Sequence, residues 1–477
     1  MSRTTATPNQ RPCLTLSERN NQMSNLEKQM TSIPATKSDT PDPGTSGMSR
    51  ATKVRWAVAV FCAVGLAINY IDRSAISVSL PFMTEDFHLT PTEKGLILSA
   101  FSWSYALMQI PAGRLIDRFG ERVMFGASVL VWSLFTAATA GVSSFAALLG
   151  LRLGLGVGEA GAYPAAAKTV SQWFPLRLRG RATSVYDSGA RIGSAAATPL
   201  IALIIGLFGW RAAFIFAGAI GILWAIGWWA WYRRPENKAG VNELELAIIH
   251  ESHREQSANN LHPDAKPMAI LELFKQRTVW GMMLGFFCLN FMITFFLTWF
   301  PSYLVEERGF NLLKLGVFGM IPPLAAILGS WAGGIVGDYL LDRGWSLNKV
   351  RKTCLVGGMM VCSVIALAAI APAAWQALVL MSISYAAAAF TIVSIWCLPA
   401  DVVDSSTVAT LGSTQNFFSN IGSALSPIVI GALYGATGSF TVPLLLTAAI
   451  IVAGALCFGL LIKKVEPIRR PELESMT

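Results

Sequence analysis

Twelve long apolar stretches, separated by short polar loops, run through the chain at about 56–80, 94–113, 122–142, 145–172, 181–208, 212–232, 279–305, 313–337, 352–371, 373–398, 408–435 and 440–462. Each is close to or longer than the ~20 residues an α-helix needs to cross a ~30 Å hydrocarbon layer. In lipid no water satisfies a backbone, and a helix bonds its own N–H and C=O groups within the segment. The pattern predicts an all-α membrane protein of twelve transmembrane helices. They fall into two six-helix bundles, 53–232 and 279–463, around a polar linker, 233–278. Residues 1–52, rich in Ser, Thr, Pro, Asn and Gln and lacking the apolar core of a signal peptide, predict a disordered cytosolic tail, and 464–477 a short second one. In the linker, Val241, Leu244, Ala247 and Ile248 alternate with acids, and Asn242 with Glu245 resembles a capping pair. A surface amphipathic helix is therefore expected from Asn242 to Glu255.

Composition agrees with the pattern: 53% of residues are hydrophobic and 14% charged, where a soluble domain carries about 25% charged residues. A soluble enzyme and a nucleic-acid binder are both disfavoured. The net charge of +9 is spread over short loops rather than gathered in a patch. With the N-terminus inside, Arg114, Arg118, Arg122, Arg177, Arg179, Arg181, Arg343, Lys349, Arg351, Lys352, Lys463 and Lys464 all fall on the cytosolic side. The opposite loops hold little beyond Lys94, Arg211, Arg308 and Lys314. Both termini are thus expected in the cytosol. The seven cysteines form no CxxC pair and read as small buried hydrophobes. His250, His253 and His262 read as solvated. Neither cofactor nor metal is called for.

The halves also repeat each other. Gly113-x-x-x-Asp117 closes the second stretch and Gly334-x-x-x-Asp338 the eighth; Ile192-Gly193-Ser194-Ala195 in the fifth returns as Ile421-Gly422-Ser423-Ala424 in the eleventh, at a nearly equal offset. Such duplication is common in secondary transporters, which bind substrate near the midplane where the repeats meet. Gly156, Gly158 and Gly161 fit a dinucleotide-binding fingerprint literally. They lie inside a membrane stretch, however, where small residues serve close helix packing.

Six ionisable residues lie within the spans of the first half: Asp72, Arg73, Arg152, Glu159, Asp187 and Arg191. Facing lipid near the bilayer centre, each would cost about 2.5–3.5 kcal/mol, so they must face a protein-lined or watery interior. A rise of ~1.5 Å per residue puts Asp72 and Arg152 about 12 and 10 Å below the outer face, Glu159 about 21 Å down, and Arg191 about 15 Å above the inner face. On depth alone Asp72 and Arg152 can meet. Arg191 can pair with Asp187, four residues away, or bind a second carboxylate. The second half offers neutral groups instead: Asn290, Thr294, Thr298, Trp396, Gln415, Asn416 and Asn420. This suggests that the first half handles protons and an anionic head while the second reads hydroxyls or a neutral body.

The stretches Asn69-Tyr70-Ile71-Asp72-Arg73, Gly113 to Arg122, and Arg152 to Glu159 resemble the major facilitator superfamily, in particular its anion:cation symporter branch, over nearly the whole chain from residue 54. The resemblance implies that Asp72 and Glu159 titrate protons with Arg152 as their basic partner. It also implies that Tyr70, Arg73, Tyr105, Trp396 and Asn416 contact substrate. Gly113, Asp117, Arg118 and Arg122, with Asp338 and Arg343, would form cytosolic latches that hold the outward-open state. Asp187 and Arg191 depart from the sugar-acid permeases of that branch, and Ala190 stands where a hydrogen-bonding side chain is expected; Arg191 joins the substrate-binding candidates. The expected function is proton-coupled symport, by a monomer, of a small organic anion such as a hexonate, glucarate or hexuronate. Aromatic or dicarboxylic acids are the alternative, and a drug exporter is disfavoured by the three arginines.

Overall fold

The computed structural model describes residues 51–250, 268, 270–403, 405–466 and 468. The expected tail through residue 50, the linker from 251 to 267 with His253 and His262, and most of the segment after Glu466 lie outside the described residues. Six helices form the first half: α1 (Val54–Phe87), α2 (Pro91–Phe119), α3 (Glu121–Thr139), α4 (Phe145–Trp173), α5 (Leu176–Phe208) and α6 (Trp210–Trp231). Six more form the second: α7 (Arg277–Thr298), α8 (Leu312–Asp342), α9 (Leu347–Ile370), α10 (Ala374–Val402), α11 (Ser405–Thr437) and α12 (Thr441–Leu461).

Among the described residues, eleven helices are long and apolar enough to cross a membrane. The twelfth, α2, spans 29 residues but begins with Glu93 and Lys94 and ends with Arg114, Asp117 and Arg118, so charge at its two ends dilutes an apolar middle. An even number of spans brings the start of α1 and the end of α12 to one face, the terminal face; the other is the far face.

The joins described between the halves gather toward the far face. Lys94 of α2, 4% exposed, bonds Glu306 just after α7 at 2.8 Å. Ser77 Oγ donates to the Leu297 carbonyl at 2.7 Å, and Ser99 donates to the Ala424 carbonyl. Glycine makes this approach possible: a Cβ on Gly95 would stand 2.5 Å from the Pro427 carbonyl oxygen, and one on Gly431 2.6 Å from that of Pro91. On the other flank, Gly316 and Gly319 of α8 pack against Ala202 and Thr198 of α5. These joins lie on the far side of the bundle, and the halves part toward the terminal face into a crevice, with the pair Asp187–Arg191 at mid-depth on α5 still substantially exposed.

The linker departs from expectation. Helix begins at 243, and the Asn242 Oδ1 accepts from the Glu245 N–H at 2.9 Å, as a capping residue should. Glu245 does not lie on the surface. It is fully buried, and its carboxylate accepts from the Val54 and Arg55 N–H groups, each at 3.2 Å, and from the Thr52 hydroxyl at 2.5 Å. The linker acid therefore caps α1, whose own preceding residue, Lys53, supplies no side-chain cap. A helix N-terminus leaves unpaired N–H groups and a partial positive charge, and a carboxylate answers both.

Candidate functional site

Glycines of α4 set up the site by letting neighbouring helices come close. Gly156 lies against the backbone of α2 at Phe101 and Tyr105, and Gly158 against the backbone of Trp132 in α3. The literal dinucleotide fingerprint is thus a packing surface within a helix that breaks only at Ala160 and Gly161. Arg152 and Glu159, two turns apart on α4, share one helix face and are 4% and 1% exposed.

Facing them, α1 brings Arg73, whose Nε donates to the Glu159 Oε2 at 2.6 Å. The Arg73 guanidinium lies 4.8 Å from the ring centres of both Phe101 and Tyr105 and 5.4 Å from that of Tyr70. Phe101 also carries the Arg152 guanidinium, at 5.1 Å. The half-buried Arg73 and the buried Arg152 thus share one aromatic ring, whose electron-rich face attracts both. Asp72 is 1% exposed, is paired with no cation among the described ion pairs, and lies beside the indole of Trp132.

Depth alone allows Asp72 and Arg152 to meet, and they lie within electrostatic range of each other, but the described ion pair of this cluster joins Arg73 to Glu159. Neighbouring residues on a helix point about 100° apart, and rise says nothing of rotation. Here rotation is fixed by tight seating of α5 on α1, Gly189 against Ala63 and Gly193 against Ala67. Of the expected substrate contacts, Tyr70, Arg73 and Tyr105 come together. Arg191 pairs with Asp187 at 3.0 Å, on the crevice side of α5. Tyr385 of α10, stacked on Phe296 at 4.4 Å, lies within electrostatic range of both Tyr70 and Arg191. Trp396 packs edge-on against Phe286 and is half exposed, and the half-buried Asn416 accepts from Ser419 and Asn420 of its own helix. Neither touches the Arg73 cluster.

The expected latch groups are engaged within their own halves. Asp117 pairs with Lys168 at 2.8 Å, Arg122 donates to the Trp229 carbonyl, Arg118 lies over Phe119, and Arg343 lies over Tyr339. Space is open around Gly113, and Asp338 lies near Cys397 of the same half. Residues that the sequence reading passed over include Phe101, Tyr385 and the Lys94–Glu306 join. Phe101 stands four residues before Tyr105, an aromatic spacing on one helix face that was legible; the other two depend on contacts between halves.

The profile of the Major Facilitator Superfamily matches residues 62–425. A probable L-galactonate transporter of Escherichia coli is 34% identical over 450 residues, covering 92% of this chain and 96% of that protein. A probable galactarate/D-glucarate transporter of Bacillus subtilis is 32% identical, covering 89% and 95%. A probable sulfoacetate transporter of Cupriavidus necator is also 32% identical, covering 86% and 94%. Among solved structures, a bacterial homologue of the human lysosomal transporter Spinster, inward-facing and occupied, superposes with a TM-score of 0.73 at 20% identity over 87% of this chain and 98% of that one, a likeness of fold.

Proposed function

This chain belongs to the major facilitator superfamily, and we propose that it carries an organic anion, a sugar acid, into the cell together with protons by alternating access. The single observation that carries this reading is the Arg73–Glu159 pair on the wall of the crevice, with one arginine nitrogen and one glutamate oxygen left without a hydrogen-bond partner. Glu159 and an incoming carboxylate compete for one guanidinium, the fork best suited to a carboxylate. A proton on Glu159 removes the competitor, so proton and anion favour each other's binding, and that favour is reciprocal. Asp72, buried one residue away on α1, is the second proton carrier.

Energy sets the direction. An anion entering a negative interior is opposed by about 2.3 kcal/mol per charge per 100 mV, and accompanying protons cancel that cost. The terminal face, rich in Lys and Arg, is the cytosolic one, so the described crevice is inward-open. Relatives named for galactonate and glucarate transport support a sugar acid as substrate. The site is built within one chain, and the monomer is the transporting unit, in the inner membrane.

The test is Glu159→Gln in proteoliposomes. Exchange of labelled anion against unlabelled anion should persist, while uphill uptake driven by a pH gradient is lost. Undiminished pH-driven accumulation by that variant removes Glu159 from the proton path.

A further inference from the structure

Arg191 and Asp187 point into the crevice, as the face they occupy shows. On the continuous helix α5, positions 187, 191, 198 and 202 fall within one narrow stripe at ~3.6 residues per turn. Thr198 and Ala202 on that stripe touch Gly319 and Gly316 of the opposite half. Gly189 and Gly193, nearly half a turn away, are seated on α1. Nearer the terminal face the halves part, and the same stripe opens on the crevice, with Tyr385 of α10 within electrostatic range of Arg191.

The pair does not stabilise the fold in proportion to its cost. Its side chains are 34% and 40% exposed, against 19% and 0% for Arg73 and Glu159. The gain from a half-exposed pair four residues apart is several-fold smaller than the cost of setting two ionisable groups at membrane depth. Both pairs instead share one design, an arginine at the crevice with an acid of its own half against it.

Spacing relates the two arginines. α1 and α5 run in the same direction, Gly189 beside Ala63 and Gly193 beside Ala67, so Arg191 is level with Gly65. That is eight residues short of Arg73, or about 12 Å at ~1.5 Å per residue. Side chains on both helices lean back toward the terminal face, which carries the separation out to the guanidinium groups. A six-carbon diacid spans roughly 6 Å between its carboxyl carbons across five C–C bonds of about 1.5 Å. A bidentate guanidinium contact at each end adds about 4 Å apiece, so the two arginines match such a diacid within the reach of their side chains.

We propose that Arg191, with Asp187 as its displaceable counter-ion, is a second carboxylate site nearer the mouth of the crevice, and that the preferred substrate is a dicarboxylate held by Arg73 at one end and Arg191 at the other. This rests on the anion-transport reading above and narrows it. Bound ligand bridges the parallel helices α1 and α5. Asp187 neutralises Arg191 between cycles, which spares the protein an unpaired charge.

Galactarate and galactonate test this, since they share a six-carbon hydroxylated chain and differ at one end, carboxylate against hydroxymethyl. Competition for uptake into proteoliposomes should rank galactarate ahead of galactonate. Arg191→Gln should weaken galactarate by about 10- to 100-fold and galactonate far less, which collapses the preference. Asp187→Asn, which removes the internal competitor, should hold or raise galactarate affinity with a normal yield of folded protein. If Arg191→Gln does not fold, Arg191→Lys, keeping the charge without the fork, must lower the galactarate preference on its own. A common loss for both acids in the Arg191 variants, or an Asp187→Asn protein that no longer folds, makes the pair structural and overturns the proposal. Wild-type protein that carries galactonate without preferring galactarate overturns it while the anion reading stands; wild-type protein that moves neither acid overturns both.

Discussion

Near the middle of the bundle the first half gathers Asp72, Arg73, Arg152 and Glu159, while the second half offers Asn290, Thr294, Gln415 and Ser423. The neutral set closes on itself except at the Gln415 Oε1, which has no hydrogen-bond partner. Asn290 Nδ2 donates to the Ser419 carbonyl at 3.0 Å and to the Ser423 hydroxyl at 2.7 Å; Thr294 bonds Ser423 at 2.9 Å, and Gln415 reaches the Ile395 carbonyl. The charged set stays open, for both Asp72 oxygens, Glu159 Oε1, Arg73 Nη2 and Arg152 Nε have no hydrogen-bond partner. One repeat has thus kept polar groups as glue between its own helices, and the other has kept charges that can exchange one partner for another. The fold is shared by the two halves; the chemistry is not.

The sharpest way to break that contrast is Arg73→Lys. It preserves charge but removes the planar fork and its stacking on Phe101 and Tyr105, so anion affinity, measured by competition for uptake, should fall about 10- to 100-fold. A fall of less than about twofold would place anion recognition outside the charged half.

Next is the join that draws on charge from both halves. Lys94→Met leaves Glu306, 19% exposed, without its cation and loosens the far face, so the balance should move toward the outward-open form. Labelling of a cysteine introduced at Ser99 by an impermeant thiol reagent applied from the far side should rise by about tenfold or more. Unchanged labelling would mean that the apolar seams through Gly95 and Gly431 hold the far face by themselves.

The smallest effect is expected from Asn290→Ala. Losing its bonds to Ser419 and Ser423 should cost about 1 kcal/mol of stability, read as a lower melting temperature in detergent, with the ratio of affinities for galactarate and galactonate unchanged. A shift in that ratio would bring Asn290 into the binding surface and blur the division between halves.

Much of this molecule is determined by sequence alone, and for a simple reason. A bilayer forces each crossing to be a helix of about 20 apolar residues, so hydropathy counts the spans. The repeated Gly-x-x-x-Asp segments then show the duplication, and the six membrane charges, all in one half, mark where the candidate site is sought. Arg73 and Glu159 were legible because charge at membrane depth needs a reason, whereas Tyr70 and Tyr105 were named only by the family resemblance. Partnership was not legible. That Arg73 rather than Arg152 takes Glu159 depends on the rotation of α1 against α5, set by glycine-to-alanine contacts more than 120 residues apart in sequence. Glu245 looked like a capping residue of a surface helix and proved to cap α1, because a buried carboxylate goes to whichever unpaired N–H groups the fold brings near it. The Lys94–Glu306 join and the crevice stripe carrying Asp187 and Arg191 exist only once the two halves meet. Periodicity and the energetics of lipid act along the chain and can be read from it; the facing of one helix by another is settled by packing between distant segments, which only the tertiary structure decides.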